Sequence, residues 1–115
     1  MIRGELWWAD YGIPFGSEPG YKRPVIIIQN DCFNNSKINT TIVIPLSTNI
    51  LLADVPGNVF IRKKESKLNN DSVILLSQVG VIDKRRLIEK ISKVNKDIII
   101  KIENSILFIF GVKII

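Results

Sequence analysis

Gly16-Ser17-Glu18-Pro19-Gly20-Tyr21-Lys22-Arg23-Pro24-Val25-Ile26-Ile27-Ile28-Gln29-Asn30 is the stretch on which the reading of the fold turns. Its first half is a glycine-bracketed loop that presents Glu18, Lys22 and Arg23. Pro24 ends that freedom, and Pro24 to Gln29 is a short, continuous apolar run of the kind that forms a strand buried on both faces. A carboxylate and a fork-shaped cation therefore stand at the mouth of a buried sheet. A guanidinium there can grip two oxygens of one phosphate or carboxylate. The plain alternative is an arginine that meets only water, and composition alone favours it, because most arginines are exposed.

Outward from this stretch the chain reads as short strands. Gly4 to Ala9 is the first, with Leu6, Trp7 and Trp8 suited to a pleated, half-buried surface. The indoles either pack in the core or stack on bases; core packing is the favoured reading. Tyr11 to Lys22 holds three Gly and two Pro and is a long loop, a kind usually functional or disordered. Asp31 to Asn39 is polar and turn-like. Thr40 to Leu46 is a β-branched strand with Pro45 near its end, followed by Ser47-Thr48-Asn49. Ile50 to Pro56 is a loop, Gly57 to Lys63 a strand, Ser66 to Asp71 a turn. Ser72 to Val79 reads as one strand with Gly80 as a bulge. Asp83 caps a helical turn through Leu87, and Glu89 to Val94 is the last strand. Asn95 then caps a helix over Lys96 to Phe110, closed by Gly111. Ile98, Ile99, Ile102, Ile106, Ile109 and Phe110 share one helix face, with Ile100 and Leu107 roughly opposite. The fold class is mainly β with a C-terminal helix: a strongly bent sheet or small barrel with that helix packed on it.

The 115 residues suggest one domain over 1–115, and 46% hydrophobic residues suffice for a core without metal or disulfide staples. A net charge of +5 favours anionic partners, nucleic acid first. There is no His, so proton transfer at neutral pH must use Glu, Asp, Lys, Tyr, water or an unusually placed Arg. The single Cys32 excludes an internal disulfide and fits a reducing compartment. No zinc-like Cys/His spacing exists, so neither metal nor cofactor is expected. Arg3, Glu5 and Asp10 break up the apolar N-terminus, which does not read as a signal peptide, and no run is long enough to span a membrane. The expected address is the cytoplasm.

Several motifs, in order, resemble one family. They are Arg3-Gly4-Glu5-Leu6-Trp7, Gly16-Ser17-Glu18, Arg23-Pro24-Val25, Ile28-Gln29-Asn30-Asp31, Ile44-Pro45-Leu46-Ser47, Asp71 to Leu76 with Gln78, and Ile82 to Leu87. With this spacing over nearly the whole chain, the sequence resembles the MazF/PemK/Kid-type toxins, the endoribonuclease half of type II toxin–antitoxin pairs. The resemblance implies a small SH3-like (CcdB/Kid-type) barrel, a homodimer, a cognate antitoxin, and sequence-selective, metal-independent cleavage of single-stranded RNA by 2′-hydroxyl attack. It also implies site residues. Arg23 matches the catalytic arginine before proline, Ser47 the small hydroxyl residue after Pro-Leu, and Glu18 the acid of the Gly-Ser-Glu loop. Gln78 matches a position placed near RNA. Thr48, Lys22, Tyr21 and Arg85 complete the expected RNA contacts. Ser47 replaces the more usual Thr, with Thr48 sharing or taking its role. Ser77 stands where relatives often carry an acid, and Gly80-Val81 replaces a common Arg-Thr. These departures weaken any carry-over of an acidic group from that segment.

The implied chemistry needs a proton acceptor, a donor for the leaving 5′-oxygen, and donors to an anionic phosphorane. Arg23 and Ser47 suit the last task. Glu18 suits the first if partly buried; otherwise it positions RNA or simply pairs with Lys22 or Arg23. Lys84, Arg85 and Arg86 hold phosphates or form a solvated face. Phe15, Tyr21 and Phe33 stack on bases or, by default, pack within the protein. Two rival functions share the scaffold: a non-catalytic RNA- or protein-binding module, and a gyrase-directed toxin.

Overall fold

The computed structural model describes residues 1–113. Among them are seven strands: β1 (Glu5–Asp10), β2 (Lys22–Ile27), β3 (Thr40–Ser47), β4 (Val59–Ile61), β5 (Ser72–Ile74), β6 (Gly80–Asp83) and β7 (Leu87–Lys93). Two α-helical turns, α1 (Asp31–Asn34) and α2 (Lys63–Ser66), one full helix, α3 (Lys96–Ile109), and three 3-10 turns, Ile50–Asp54 within the stretch expected to be a loop, Leu76–Gln78 and Lys84–Arg86, complete the set. The main sheet order is β4-β5-β3-β2-β1-β7, with β6 pairing β3, and every pairing is antiparallel. The expected mainly-β fold with a C-terminal helix is therefore present.

β3 is the hub, and its composition explains why. Eight residues rich in Thr, Ile and Val are stiff at χ1 and favour an extended chain. It serves β2, β5 and β6 at once. Alternation sorts the side chains onto two faces. Leu6, Ile26, Ile44 and Leu46 point into the main core, where Ile98 and Ile102 of α3 meet them. Ala9, Val25, Ile27, Val43 and Ile82 form a second cluster on the opposite face, covered by Trp7, Tyr11 and Leu87. A strand such as β2 thus buries both faces, as its unbroken apolar run requires.

The segment read as a single strand over Ser72 to Val79 is not one. β5 stops at Ile74, and Leu76–Gln78 form a tight 3-10 turn before β6 begins at Gly80. Ile74 faces Leu46 while Gly80 faces Val43, so residues 75–79 intervene where β3 has only Ile44 and Pro45. Residues 72–76 are all buried, so no alternation in the sequence marks the break. Gly80 opens β6 rather than forming a bulge; the register shifts lie between β1 and β7, at Leu6/Trp7 and Trp8/Ala9. The strand expected over Gly57 to Lys63 is trimmed to β4, because Lys63 already belongs to α2.

α3 begins and ends as its sequence suggests. The Asn95 side chain accepts a hydrogen bond from the Ile98 N–H at 3.0 Å, and Gly111 takes the left-handed conformation, φ +68°. Phe110, expected on the core face, is 62% exposed, because it caps the helix after the core-facing row has ended.

Candidate functional site

Arg23 owes its position to β1. It pairs with Ala9, so its side chain lies on the face of the second cluster. Tyr11 stands two residues beyond Ala9, which makes it the diagonal cross-strand neighbour of Arg23 on that face. The guanidinium is near enough to act on the phenol: burial pushes Tyr11 up to about 12, and Arg23 pulls in the other direction. Arg23 is half-buried, and its Nε is sealed from water without a hydrogen-bond partner among the described residues. Gln78 Oε1 is in the same condition. A native buried polar atom left unpaired is uncommon and costs about 1–3 kcal/mol, so each calls for an explanation.

Between Tyr11, Gln78 and the long loop runs an open cleft of about 450 Å³, of which Arg23 is a neighbour through Tyr11 rather than a wall residue. Tyr11, Gln78, Glu18, Phe15 and Arg86 all contribute to its walls. The loop is shaped by its backbone. The Tyr11 N–H donates to the Tyr21 carbonyl at 2.8 Å, and the Tyr21 N–H donates to the Gly12 carbonyl at 2.6 Å. Gly12, at φ +71°, also donates to Asp10 Oδ1 at 2.8 Å. Gly20 is buried against Pro14, and a β-carbon there would come within 2.5 Å of three Pro14 ring atoms.

Ser47 and Thr48 lie at the end of β3. The last registered β2–β3 pair is Val25 with Pro45. Two residues further on stand Arg23 and Ser47, which alternation turns to the same face. Ser47 Oγ accepts from the Asn49 N–H at 3.1 Å, leaving its own O–H to donate elsewhere. Ser47 and Thr48 also border a second, smaller cavity of about 120 Å³ with Trp8, Pro24 and Leu68.

The other expected contacts divide. Lys22 is exposed and sits with Trp8, Ile88 and Glu89 on the face opposite Arg23. Tyr21 is 67% exposed at the loop's closing turn, where it holds a left-handed backbone, φ 57°. Arg85 is turned to solvent and engaged by Asp83 at 3.0 Å through Nε and through Nη2; this pairing holds the Asp83 carboxyl down at about 2. Its neighbour Arg86 reaches the cleft instead, anchored by Nη1 on the Asp10 carbonyl at 2.9 Å. Glu18 is exposed and forms no ion pair among the described residues, so the pairing with Lys22 or Arg23 is not seen there, nor is the partial burial that suits a base. Phe15, Tyr21 and Phe33, expected by default to pack, are 85%, 67% and 51% exposed.

Tyr11 escaped the sequence reading, and Arg86 entered it only with Lys84 and Arg85, as a phosphate holder or part of a solvated face. Tyr11 looked like the first residue of a loop, although its i+2 spacing from Ala9 and Trp7 continues the strand's face. Arg86 differs from Arg85 only in its place on the 3-10 turn of residues 84–86, which the Asp83 side chain caps by accepting the Arg85 N–H at 2.8 Å.

Comparison with known proteins now decides the family. The family described as PemK-like, MazF-like toxin of type II toxin-antitoxin system matches residues 2–110. The chain belongs to that family. Among its relatives, Endoribonuclease MazF2 of Mycobacterium bovis and Endoribonuclease MazF6 of Mycobacterium tuberculosis are each 37% identical over 94 residues, 82% of either chain. An endoribonuclease solved with its cognate antitoxin from a mycobacterial species shares the fold at TM-score 0.80 and 17% identity, covering 100% of this chain and 99% of its own. MazF of Deinococcus radiodurans does so at TM-score 0.80 and 19% identity, over 96% of each chain. The PemK/MazF fold thus extends through α3, and the cleft beside Arg23 is built on the family's common scaffold.

Proposed function

We propose that this member of the PemK/MazF family is a sequence-selective endoribonuclease that cleaves single-stranded RNA by attack of a ribose 2′-hydroxyl on the adjacent phosphate. The observation that carries the reading is the placement of Arg23 and Ser47 on one sheet face at adjoining strand ends, with Tyr11, Gln78, Glu18, Phe15 and Arg86 around the neighbouring cleft. A guanidinium, a free hydroxyl donor and an amide together fit a ligand that has both phosphate oxygens and base edges. The curated relatives' names support the activity.

In this reading Arg23 and Ser47 donate hydrogen bonds to the phosphorane, and Thr48 holds the strand end against a flanking nucleotide. Gln78 accepts from a base edge. Phe15 and Tyr21 offer stacking surfaces, Arg86 meets the RNA backbone at the cleft wall, and Lys22 and Arg85 act on it from outside. Glu18 stands exposed at the cleft wall, where it positions the RNA or takes the 2′-hydroxyl proton through water. No step is assigned to a metal. The reading includes a homodimer, a cognate antitoxin as the family description implies, and a cytoplasmic location; among the described residues no helix is long and apolar enough to cross a membrane.

The test is incubation of the purified chain with a long unstructured RNA in EDTA, with the ends mapped. Discrete cuts bearing 5′-hydroxyl and 2′,3′-cyclic phosphate ends are expected, and Arg23→Ala is expected to slow them by about 10²–10³-fold. Gel shifts without cuts would instead mark a binding module, and inhibited supercoiling a gyrase-directed toxin.

A further inference from the structure

We infer that the Tyr11 hydroxyl is a further catalytic group, donating a hydrogen bond to a phosphoryl oxygen of the scissile phosphate beside Arg23. The inference rests on the endoribonuclease reading above and adds to it a residue that sequence comparison with the family motifs does not single out.

Three observations lead to it. Tyr11 is the diagonal neighbour of Arg23 across the β1–β2 ladder, on the same face. Its ring packs against the second cluster, which limits the orientations open to the phenol, and the residue forms part of the wall of the cleft that also holds Gln78 and Glu18. Its hydroxyl makes no hydrogen bond among the described residues and, unlike Arg23 Nε, is not sealed from solvent, so the donor is open to a ligand. The phenol therefore stands packed at the cleft wall with an unused donor, next to the cation expected to hold the phosphate.

The chemistry suits a donor better than a proton shuttle. Burial raises the phenol to about 12, so the O–H keeps its proton throughout the working pH range. In the reaction the P–O2′ bond forms and the P–O5′ bond breaks. The 2′-hydroxyl proton leaves to Glu18 or water, and the 5′-oxygen gains a proton from water or a nearby acid. Tyr11 loses and gains none: its hydrogen bond shortens as negative charge gathers on the phosphoryl oxygen. A preoriented donor contributes most at that point.

The experiment compares Tyr11→Phe with the parent in single-turnover cleavage of a short RNA spanning a mapped cut. A fall of about 10²-fold in rate is expected, with KM within about threefold and the thermal midpoint retained, because no protein partner loses a bond. Substituting sulfur for each non-bridging oxygen at the cut adds a readout that a packing role does not move. One stereoisomer should slow the parent, and that slowing should shrink in the variant. Tyr11→Leu gives the same comparison if the Phe variant melts early. A variant cutting as fast as a parent that cuts, or showing an undiminished sulfur effect, overturns this inference alone. A parent that makes no cuts overturns the endoribonuclease reading together with it.

Discussion

Arg23→Lys separates charge from geometry at the residue scale. Lysine keeps the cation but has no Nε and no planar fork, so it cannot place two parallel donors on one phosphate. Cleavage by the lysine variant is expected to stay at least about 10²-fold below the parent, measured under single-turnover conditions. Recovery to near-parent rates would mean that a point charge suffices. Glu5 makes a different claim, about stability. Its side chain is 7% exposed, and burial by itself raises the carboxyl. The Ile2 N–H at 2.8 Å, Lys90 at 2.9 Å and Trp7 Nε1 at 3.1 Å outweigh burial and leave it below its ordinary 4.5. A depressed carboxyl stabilises the folded state fully above that ordinary value, and the contribution disappears as pH falls through the folded value. Glu5→Gln is therefore expected to cost about 1–3 kcal/mol at pH 7 and to flatten the loss of stability below about pH 4.5. Urea unfolding at pH 7 and pH 3 checks both.

At the scale of elements, α3 offers a contrast within one helix. Ile102 is 1% exposed in the main core, and Ile100 is 45% exposed. Ile102→Ala should cost about 2–5 kcal/mol by removing buried methylenes and leaving a cavity. Ile100→Ala should stay within about 0.5 kcal/mol of the parent. Equal costs in a denaturant titration would mean that the exposed side of α3 is covered in solution. The loop between β1 and β2 tests function instead. Alanine at Gly20 would collide with the Pro14 ring, so the loop must open and shift the cleft wall that carries Phe15 and Glu18. Misplacement by about 1 Å is enough for a loss on the order of 10²-fold. The assay is kcat/KM on RNA alongside the melting temperature, and unchanged cleavage would remove this loop from the site.

For the whole molecule, the +5 charge, Arg23 on the face of the second cluster and Arg86 in the cleft wall should make RNA binding salt-dependent. Each phosphate contact on a single strand adds a slope of about −0.7 to log K against log salt, so these two should contribute about −1.4 of it. Arg86→Ala should bring the slope nearer zero by about 0.7, and Arg85→Ala should change it less, because Asp83 already occupies that guanidinium. Binding titrations from low to moderate salt distinguish them. Equal effects of the two substitutions would mean that the RNA passes over the outer face of the 84–86 turn.

Much of this protein was already present in local patterns. The apolar run after Pro24, the β-branched β3 and the capped helix between Asn95 and Gly111 depend on near neighbours: alternation, cap chemistry and glycine's left-handed backbone. Such signals survive in a one-dimensional string, and they led to the mainly-β fold, the helix and Arg23. The pairings were different. That β5 stops at Ile74, that a 3-10 turn puts Gln78 at the cleft, that Tyr11 is diagonal to Arg23, and that Arg86 rather than Arg85 faces inward all depend on which distant strands share a register. Register is set by burial summed over the whole sheet, so no single stretch of residues encodes it, and only the folded chain settles which side chains meet.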